Sequence, residues 1–191
     1  MLTEIEKKYA ELFDIDATRW NELMQYASVQ TIKRNDFILK EGQSCFHLGF
    51  IKRGALRTFY IDDKGNDASF LLQIDHDFFG DYESIILKEP SKLNIQALSD
   101  TDVILLHMPE LEQLFQTELF WMQYSRKIAN KVFLDAKRRM EELLYYTPEQ
   151  RYLNLLKRSP KIFQKVPQKF ISSYLGITPQ SLSRIRKRLY D

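Results

Sequence analysis

Residues 168–190 read QKFISSYLGITPQSLSRIRKRLY, a pattern typical of two short helices that cross through a tight turn. Gly176 lies where the first helix must end in a left-handed conformation, which glycine adopts without steric penalty. Thr178 can cap the second helix, Pro179 suits its first position, and small Ser172 falls where the helices approach most closely. The positions expected to pack one helix on the other are all apolar: Ile171, Leu175, Ile177, Leu182 and Ile185. The stretch therefore predicts a helix-turn-helix.

The second helix of this motif carries a polar and basic face. Gln180, Ser183 and Arg184 are separated by helical steps of three and four residues, so they project from one side. Glutamine pairs bidentately with adenine and arginine with guanine in the major groove, so we predict that these side chains read DNA bases. The side chains expected to contact the DNA backbone are Thr178, Ser181, Arg186, Lys187 and Arg188. In the alternative interpretation, the same basic helix docks on another protein.

The net charge of +2 hides an asymmetry along the chain. Residues 151–191 contain ten lysines and arginines and one acidic residue, so they carry +9 and the first 150 residues carry −7. A basic and structured C-terminal part is expected to face a polyanion such as DNA. No stretch approaches the roughly 18 uninterrupted apolar residues of a membrane span, and the N-terminus lacks the apolar core of a signal peptide. We therefore expect a cytoplasmic protein with no membrane partner.

The middle of the chain, from Val29 to Leu106, consists of short apolar runs separated by turn residues. Seven or eight short strands at this spacing predict an antiparallel sandwich or barrel. Residues 62–66, DDKGN, mark a hairpin turn between two of these strands. Residues 2–28 carry apolar residues at helical spacing, which predicts one or two short helices before the strands.

A long helix is expected to run from Pro109 to about Tyr146, because the interval contains no further proline or glycine. Apolar residues recur within it at alternating three- and four-residue steps, which is typical of a helix packed on another helix. We predict that Ile128, Val132 and Ala136 lie in a dimer interface. The alternative is a helix packed on the β-domain of its own chain, and both can hold on different faces.

These features together resemble those of the Crp/Fnr family, the catabolite activator and fumarate-nitrate regulators. Ser183 and Arg184, three residues after Gln180, are similar to the Ser-Arg or Gly-Arg pair of that family's recognition helix. Residues 40–81, KEGQSCFHLGFIKRGALRTFYIDDKGNDASFLLQIDHDFFGD, are similar to its cyclic-nucleotide-binding β-roll, and their last three residues to its Phe-Gly-Glu loop. The resemblance implies an α+β fold with an N-terminal double-stranded β-helix (jelly roll), a long dimerisation helix and a C-terminal winged-helix-like helix-turn-helix domain.

The resemblance also divides the chain and implies its partners. Residues 1–108 are expected to form the sensory domain with its N-terminal helices, residues 109–140 the dimerisation helix, and residues 141–191 the DNA-binding domain. A capping box, Thr147-Pro148-Glu149-Gln150, predicts that a new helix begins there. The implied partners are double-stranded DNA with a pseudo-palindromic site, a second copy of the chain, and RNA polymerase in the case of an activator.

The cyclic AMP site of the family is incomplete in this sequence. In members that bind cyclic AMP, the glutamate of the loop holds the ribose and an Arg-Ser pair holds the cyclic phosphate. Asp81 replaces that glutamate, and the stretch through Ser91 and Lys92 puts serine where the arginine belongs. A buried phosphate without its guanidinium loses a charge-assisted bidentate contact. We therefore predict an effector pocket at Phe79, Gly80, Asp81, Ser91 and Lys92 that does not bind cyclic AMP tightly. Both alternatives stay open, a pocket for another ligand and a pocket that holds none.

The sequence predicts no cofactor and no enzyme. A single cysteine, Cys45, cannot ligate an iron–sulfur cluster, and His47, His76 and His107 lack the spacing of metal ligands. One alternative to a regulator is a cupin-type metal-dependent enzyme, which needs clustered histidines and carboxylates. The other is an effector-binding or protein-interaction module whose helix-turn-helix has lost its function. The scattered histidines disfavour the first, and the intact turn, core and reading face disfavour the second.

Overall fold

The protein begins with two short helices, continues as two four-stranded sheets and ends in helices. The structure, a computed structural model, describes residues 3–190. The strands are β1 (Ala27–Ile32), β2 (Phe37–Leu39), β3 (His47–Arg53), β4 (Ala55–Ile61), β5 (Asp67–Ile74), β6 (Phe78–Phe79), β7 (Asn94–Ala97) and β8 (Thr101–His107). The helices are α1 (Glu4–Phe13), α2 (Ala17–Met24), α3 (Tyr82–Leu87), α4 (Met108–Leu114), α5 (Leu119–Tyr145), α6 (Pro148–Arg158), α7 (Ile162–Lys165), α8 (Gln168–Tyr174) and α9 (Pro179–Tyr190). None of these helices combines the length and apolar character needed to cross a membrane.

The eight strands form two antiparallel sheets, in the orders β1-β8-β3-β6 and β2-β7-β4-β5. The predicted α+β class, with a sandwich of seven or eight short strands, is therefore confirmed. The buried side chains shared by the two sheets include Leu48, Phe50, Leu56 and Ile95. The predicted hairpin turn joins β4 to β5, where the Asp62 carboxylate accepts the N–H groups of Lys64 and Asn66 at 2.9 and 2.8 Å. This Asx-type bonding explains why the turn forms there.

Both N-terminal helices are present as predicted, and aromatic contacts hold them on the β-domain. The ring centroid of Tyr9 on α1 lies 4.3 Å from that of Phe50 on β3. The ring of Phe13 lies 5.4 Å from that of Tyr124 on α5. All four side chains are buried. This cluster therefore ties α1 and α5 to the same sheet.

The long helix expected after Pro109 is in fact two helices, α4 and α5, separated by residues 115–118. At the break, the Thr117 hydroxyl donates to the backbone carbonyl of Leu114 at 2.8 Å, and the Thr117 N–H bonds the same carbonyl at 3.0 Å. Such three-residue bonding competes with the regular helical pattern. The prediction of one uninterrupted helix was wrong because neither a proline nor a glycine marks the break.

Helix α5 has two apolar faces in different environments. Ile128 is 6% exposed and packs, together with Val132, against the β-domain of its own chain. Ala136, in contrast, is exposed. It belongs to an exposed line on another side of the helix, which we call the α5 stripe: Met122, Phe133, Ala136, Met140 and Leu144. Of the three residues predicted for a dimer interface, Ile128 and Val132 therefore contact their own chain, and Ala136 alone lies on the exposed stripe.

The C-terminal helices pack on the outer face of the second sheet. A second hydrophobic core joins Ala55 and Ile74 of that sheet to helices α6–α9. At its edge, the guanidinium of Arg57 lies between the rings of Phe59 and Phe170, 4.2 and 4.1 Å from their centroids. The DNA-binding part predicted for residues 141–191 therefore shares its core with the β-domain.

The helix start predicted from the capping box at Thr147 is confirmed. The Thr147 hydroxyl accepts the N–H of Gln150 at 3.3 Å, and α6 begins at Pro148. Residues 148–190 form helices and turns, with no strand among them. The two helices of the predicted motif are therefore present without the β-hairpin that would make a wing.

Candidate nucleic-acid interface and sensory pocket

The turn between α8 and α9 is built by the residues predicted for it. Gly176 has a φ of +66°, and its N–H donates to the carbonyl of Ser173 at 3.0 Å. A Cβ at this glycine would meet no atom closer than 3.6 Å, so the left-handed backbone rather than lack of space requires glycine. The Thr178 hydroxyl accepts the N–H of Ser181 at 3.2 Å and caps α9 as expected.

The two helices bury the faces that the sequence assigns to their contact. Four of the five apolar positions are buried and the fifth is half-buried, in the order Ile171, Leu175, Leu182, Ile185 and then Ile177. Ser172 is 1% exposed, and its hydroxyl donates to the carbonyl of Lys169 within the same helix at 2.9 Å. A small side chain satisfied within its own helix allows close helix packing. Helices α8 and α9 therefore form one unit.

The predicted reading face lies open to solvent. Gln180, Ser183 and Arg184 are exposed on α9. Within residues 3–190, none of these three side chains makes a hydrogen bond or an ion pair. An exposed polar face that is free of partners in its own chain is available to base edges in a major groove.

The five residues predicted for the DNA backbone differ in their availability. Arg186 and Lys187 are exposed, and the structure gives them no ion pair among the described residues. Thr178 and Ser181 lie at the N-terminus of α9, with their hydroxyl oxygens 3.0 Å apart. Arg188 forms an ion pair with Glu149 of α6 and therefore lies on the side that faces its own chain.

A network of charged and polar side chains lies beneath the motif and was not predicted from the sequence. Its members are Arg139, Glu142, Arg158 and Tyr174. Arg139 and Glu142 are 5% and 4% exposed, although charged residues are almost never buried without partners. Both follow Val132 at seven and ten residues, on its inward side of α5. Their helical spacing from Val132 could have predicted that both side chains are buried.

The loop Phe79-Gly80-Asp81, which is predicted to line an effector pocket, is closed by its own side chains. Gly80 has a φ of +145°, and a Cβ there would come within 2.6 Å of the Leu48 side chain, so only glycine fits. The Asp81 carboxylate caps α3 by accepting the N–H of Ser84 at 3.2 Å. The same carboxylate accepts the hydroxyl of Ser91 at 2.6 Å. Asp81 and Ser91, both buried, therefore satisfy each other where a ligand would need them free.

The cavity beside Asp81 is small, and acidic side chains predominate among its charged lining residues. Its volume is about 10 Å³, roughly the space of one water molecule. The lining residues are Asp81, Glu83, Ser84, Leu87, Glu89, Pro90 and Lys92. Lys92 is exposed and pairs with Glu83 at 3.0 Å, so the lining carries more negative than positive charge. Phe79, the first residue of the loop, is buried in the core.

We therefore expect isothermal calorimetry of the full chain to detect no micromolar binding of cyclic AMP. A phosphate placed here finds three carboxylates and no buried guanidinium, and the loss of such a charge-assisted contact costs about 1.5–3 kcal/mol. Cyclic GMP carries the same cyclic phosphate and is therefore expected to give the same result. Saturable heat at micromolar concentration with either nucleotide would contradict the prediction.

The structure brings together two of the three scattered histidines. His47 and His107 are direct partners on β3 and β8, with ring centroids 5.2 Å apart, and the Nδ1 atom of His107 lies 3.1 Å from a Glu110 carboxylate oxygen. Burial lowers the pKa of His47. Burial also raises the pKa of the Cys45 thiol. Among the described residues, no three side chains of the metal-binding types are placed to hold an ion.

Residues 29–118 match the sequence model of the cyclic nucleotide-binding domain. A comparison with curated proteins finds no significant match. Several solved structures share the fold. FixK2 from Bradyrhizobium japonicum superposes with a TM-score of 0.73 at 19% identity, over 86% of this chain and 84% of that chain.

Two further structures cover most of both chains. The c-di-GMP responsive global regulator CLP of Xanthomonas campestris has a TM-score of 0.67 at 16% identity, over 91% of each chain. The catabolite activator protein of Thermus thermophilus has a TM-score of 0.59 at 15% identity, over 93% of this chain and 85% of that chain. Residues 29–118 thus match the cyclic nucleotide-binding domain, and most of the chain has the fold of these three structures.

Proposed function

We propose that this protein is a homodimeric transcription regulator that binds specific DNA sequences through α9. The observation that carries the proposal is the open face of Gln180, Ser183 and Arg184 on a helix fixed by its turn and core. Amide and guanidinium groups form the bidentate pairs that distinguish adenine and guanine. The fold shared with known regulators supports the same conclusion.

The charge distribution supports DNA as the partner. Arg186 and Lys187 extend the basic surface beside the reading face, and the N–H groups at the start of α9 favour a phosphate. Contacts of this kind release counterions, so affinity should fall steeply as salt rises. A helix that docked on a protein would show a weaker dependence on salt.

The α5 stripe supports a homodimer. Phe133, Met140 and Leu144 are 65%, 56% and 73% exposed, which is a large apolar surface for one side of a helix. Packing of two such stripes would bury them and give the protein twofold symmetry. Two recognition helices would then enter successive major grooves about 34 Å apart. RNA polymerase is the expected protein partner in the case of activation, and the effector is a molecule other than cyclic AMP.

Arg184→Ala tests the reading face. We expect the variant to lose about 1–3 kcal/mol of specific binding for each half-site contact and to accept other bases at one position of each half-site. The measurement is selection of bound sequences from random duplexes, followed by gel shifts at two salt concentrations. Arg53→Ala is the matched control, since Arg53 is an exposed arginine on β3 paired with Asp102. Equal sequence preference for Arg184→Ala and the unaltered chain would place the readout elsewhere.

A further inference from the structure

We infer that Arg139 is a positioning residue that fixes the recognition unit relative to α5 and thereby sets the half-site spacing that the dimer accepts. The inference rests on the proposed function, because it concerns how two copies present α9 to one duplex. Arg139 itself is buried and is not expected to touch DNA.

Arg139 holds the end of α8 in two ways. Its guanidinium donates a hydrogen bond to the backbone carbonyl of Tyr174, the last residue of that helix. Its Cζ atom lies 3.9 Å from the centroid of the Tyr174 ring, in cation–π contact. The last carbonyls of a helix lack intrahelical partners and carry partial negative charge, so a cation is favoured there. Arg139 therefore attaches α5 to the residue that precedes the turn of the motif.

The surrounding groups link three helices. Arg158 of α6 donates to the Glu142 carboxylate of α5 and, at 3.1 Å, to the Tyr174 hydroxyl. That hydroxyl donates to the other Glu142 oxygen at 3.3 Å. Burial raises the pKa of Tyr174, so its hydroxyl remains a protonated donor at neutral pH. The end of α8 is therefore bound by directional contacts from both α5 and α6.

The network is poorly suited to stability alone. Within the described residues, Arg139 Nε and Nη1 are buried without a hydrogen-bond partner, and Nη1 approaches the Glu142 carboxylate only to 3.8 Å. Buried charges with incomplete partners are costly, and apolar side chains of similar volume often stabilise a protein as well or better. Directional contacts do what an apolar side chain cannot, because they favour one orientation of the packed helices.

The position of Arg139 on α5 connects this orientation to the dimer. Its neighbour Met140 belongs to the exposed α5 stripe, whereas Arg139 points inward to Tyr174. Adjacent residues of one helix thus face the expected second copy and the chain's own recognition unit. Helices α8 and α9 share one core, so the angle fixed at Tyr174 also fixes α9. The separation of the two reading faces in a dimer follows from that angle.

The test compares affinities for duplexes that differ only in half-site spacing. Two half-sites selected by the unaltered full-length chain are placed one helical turn apart, and then one or two base pairs further apart or closer. Each added base pair rotates a half-site by about 34° around the duplex. We expect Arg139→Met to reduce the preference for the best spacing about tenfold. This factor corresponds to the lower end of the range for losing a hydrogen bond to a charged group. Affinity for a single half-site should stay unchanged, because the reading face is intact.

Arg138→Met is the matched control. Arg138 is the preceding residue of α5, half exposed and paired with Asp135, so its replacement removes the same charge without touching α8. Circular dichroism and sedimentation establish that each variant is a folded dimer. The contact of Arg57 with Phe170 still holds the N-terminal half of α8, which favours folding of Arg139→Met.

Three outcomes separate the inference from the proposed function. A folded, dimeric Arg139→Met with unaltered spacing preference overturns the inference, while the proposed function stands. If Arg139→Met does not fold, the same measurement is made on Arg139→Lys. A lysine lacks the planar group that stacks on Tyr174, so we expect an intermediate loss of spacing preference. An unaltered spacing preference in Arg139→Lys overturns the inference. An unaltered chain without preference among duplexes contradicts the proposed function itself.

Discussion

Glu142→Ala is expected to lower the free energy of unfolding of the C-terminal helices by about 3–5 kcal/mol, the usual effect of removing one partner of a buried ion pair. Glu142 is 4% exposed and accepts from both Arg158 and the Tyr174 hydroxyl. Its removal leaves the buried guanidinium of Arg139 and the partly exposed guanidinium of Arg158 beside a hydroxyl with no counter-charge. Hydrogen exchange of α8 and α9 measures the effect, because it reports local opening of these helices.

The neighbouring residue provides the control for this prediction. Glu141 lies one position earlier on α5, pairs with Lys137 and is partly exposed to solvent. Glu141→Ala should therefore change the free energy of unfolding by no more than about 0.5 kcal/mol, as for most exposed pairs. Glu142→Gln should change the free energy of unfolding by an amount between those of the two alanine variants, since an amide oxygen still accepts a hydrogen bond. Equal exchange rates in α8 for Glu141→Ala and Glu142→Ala would show that the network does not hold this helix.

The helix-turn-helix could be predicted because its determinants are local. Gly176, Thr178 and Pro179 each fix the backbone within one or two residues of themselves, and the structure has each of them in its expected role. The β4–β5 turn was predictable for the same reason, since Asp62 bonds backbone N–H groups two and four residues later. Neither feature depends on distant parts of the chain.

The inward and outward faces of α5 could not be assigned from sequence. Ile128 and Val132 are apolar, and so are Ala129 and Phe133 one position later. Both sets have helical spacing, so the pattern alone permits either register. Packing against the core of the β-domain places the first set inside and leaves Phe133 exposed. Tertiary packing, and not periodicity, decides which apolar face remains for a partner.

Contacts between residues that are distant along the chain could not be predicted from the sequence either. Asp81 and Ser91 are ten residues apart, and their hydrogen bond closes the sensory pocket. Arg139 and Tyr174 are 35 residues apart, and nothing in either segment marks the other as its partner. The predicted pocket residues and the departure from the cyclic AMP site were argued from sequence and stay predictions, whereas the hydrogen bond between Asp81 and Ser91 is a property of the folded loop.

Phe133→Glu is expected to separate the proposed dimer into monomers, with a dissociation constant at least about 100-fold higher. Burial of a phenylalanine side chain is worth about 1.5–3 kcal/mol, and a symmetric interface loses two of them. The substitution also sets two like charges in the centre of the α5 stripe, where Phe133 is 65% exposed in the single chain. Sedimentation equilibrium measures the change, and binding to a duplex with two half-sites should weaken in parallel.

Leu134→Glu distinguishes the stripe from the rest of α5. Leu134 is 54% exposed and similarly apolar. It follows Phe133 by one residue, so its side chain is rotated by about 100° around the helix axis and lies outside the stripe. It should therefore leave the dimer intact, and its affinity for a single half-site should match that of Phe133→Glu. If Leu134→Glu dissociates the dimer and Phe133→Glu does not, the two copies meet on a different face. The separation of the reading faces would then have to be derived from that face instead.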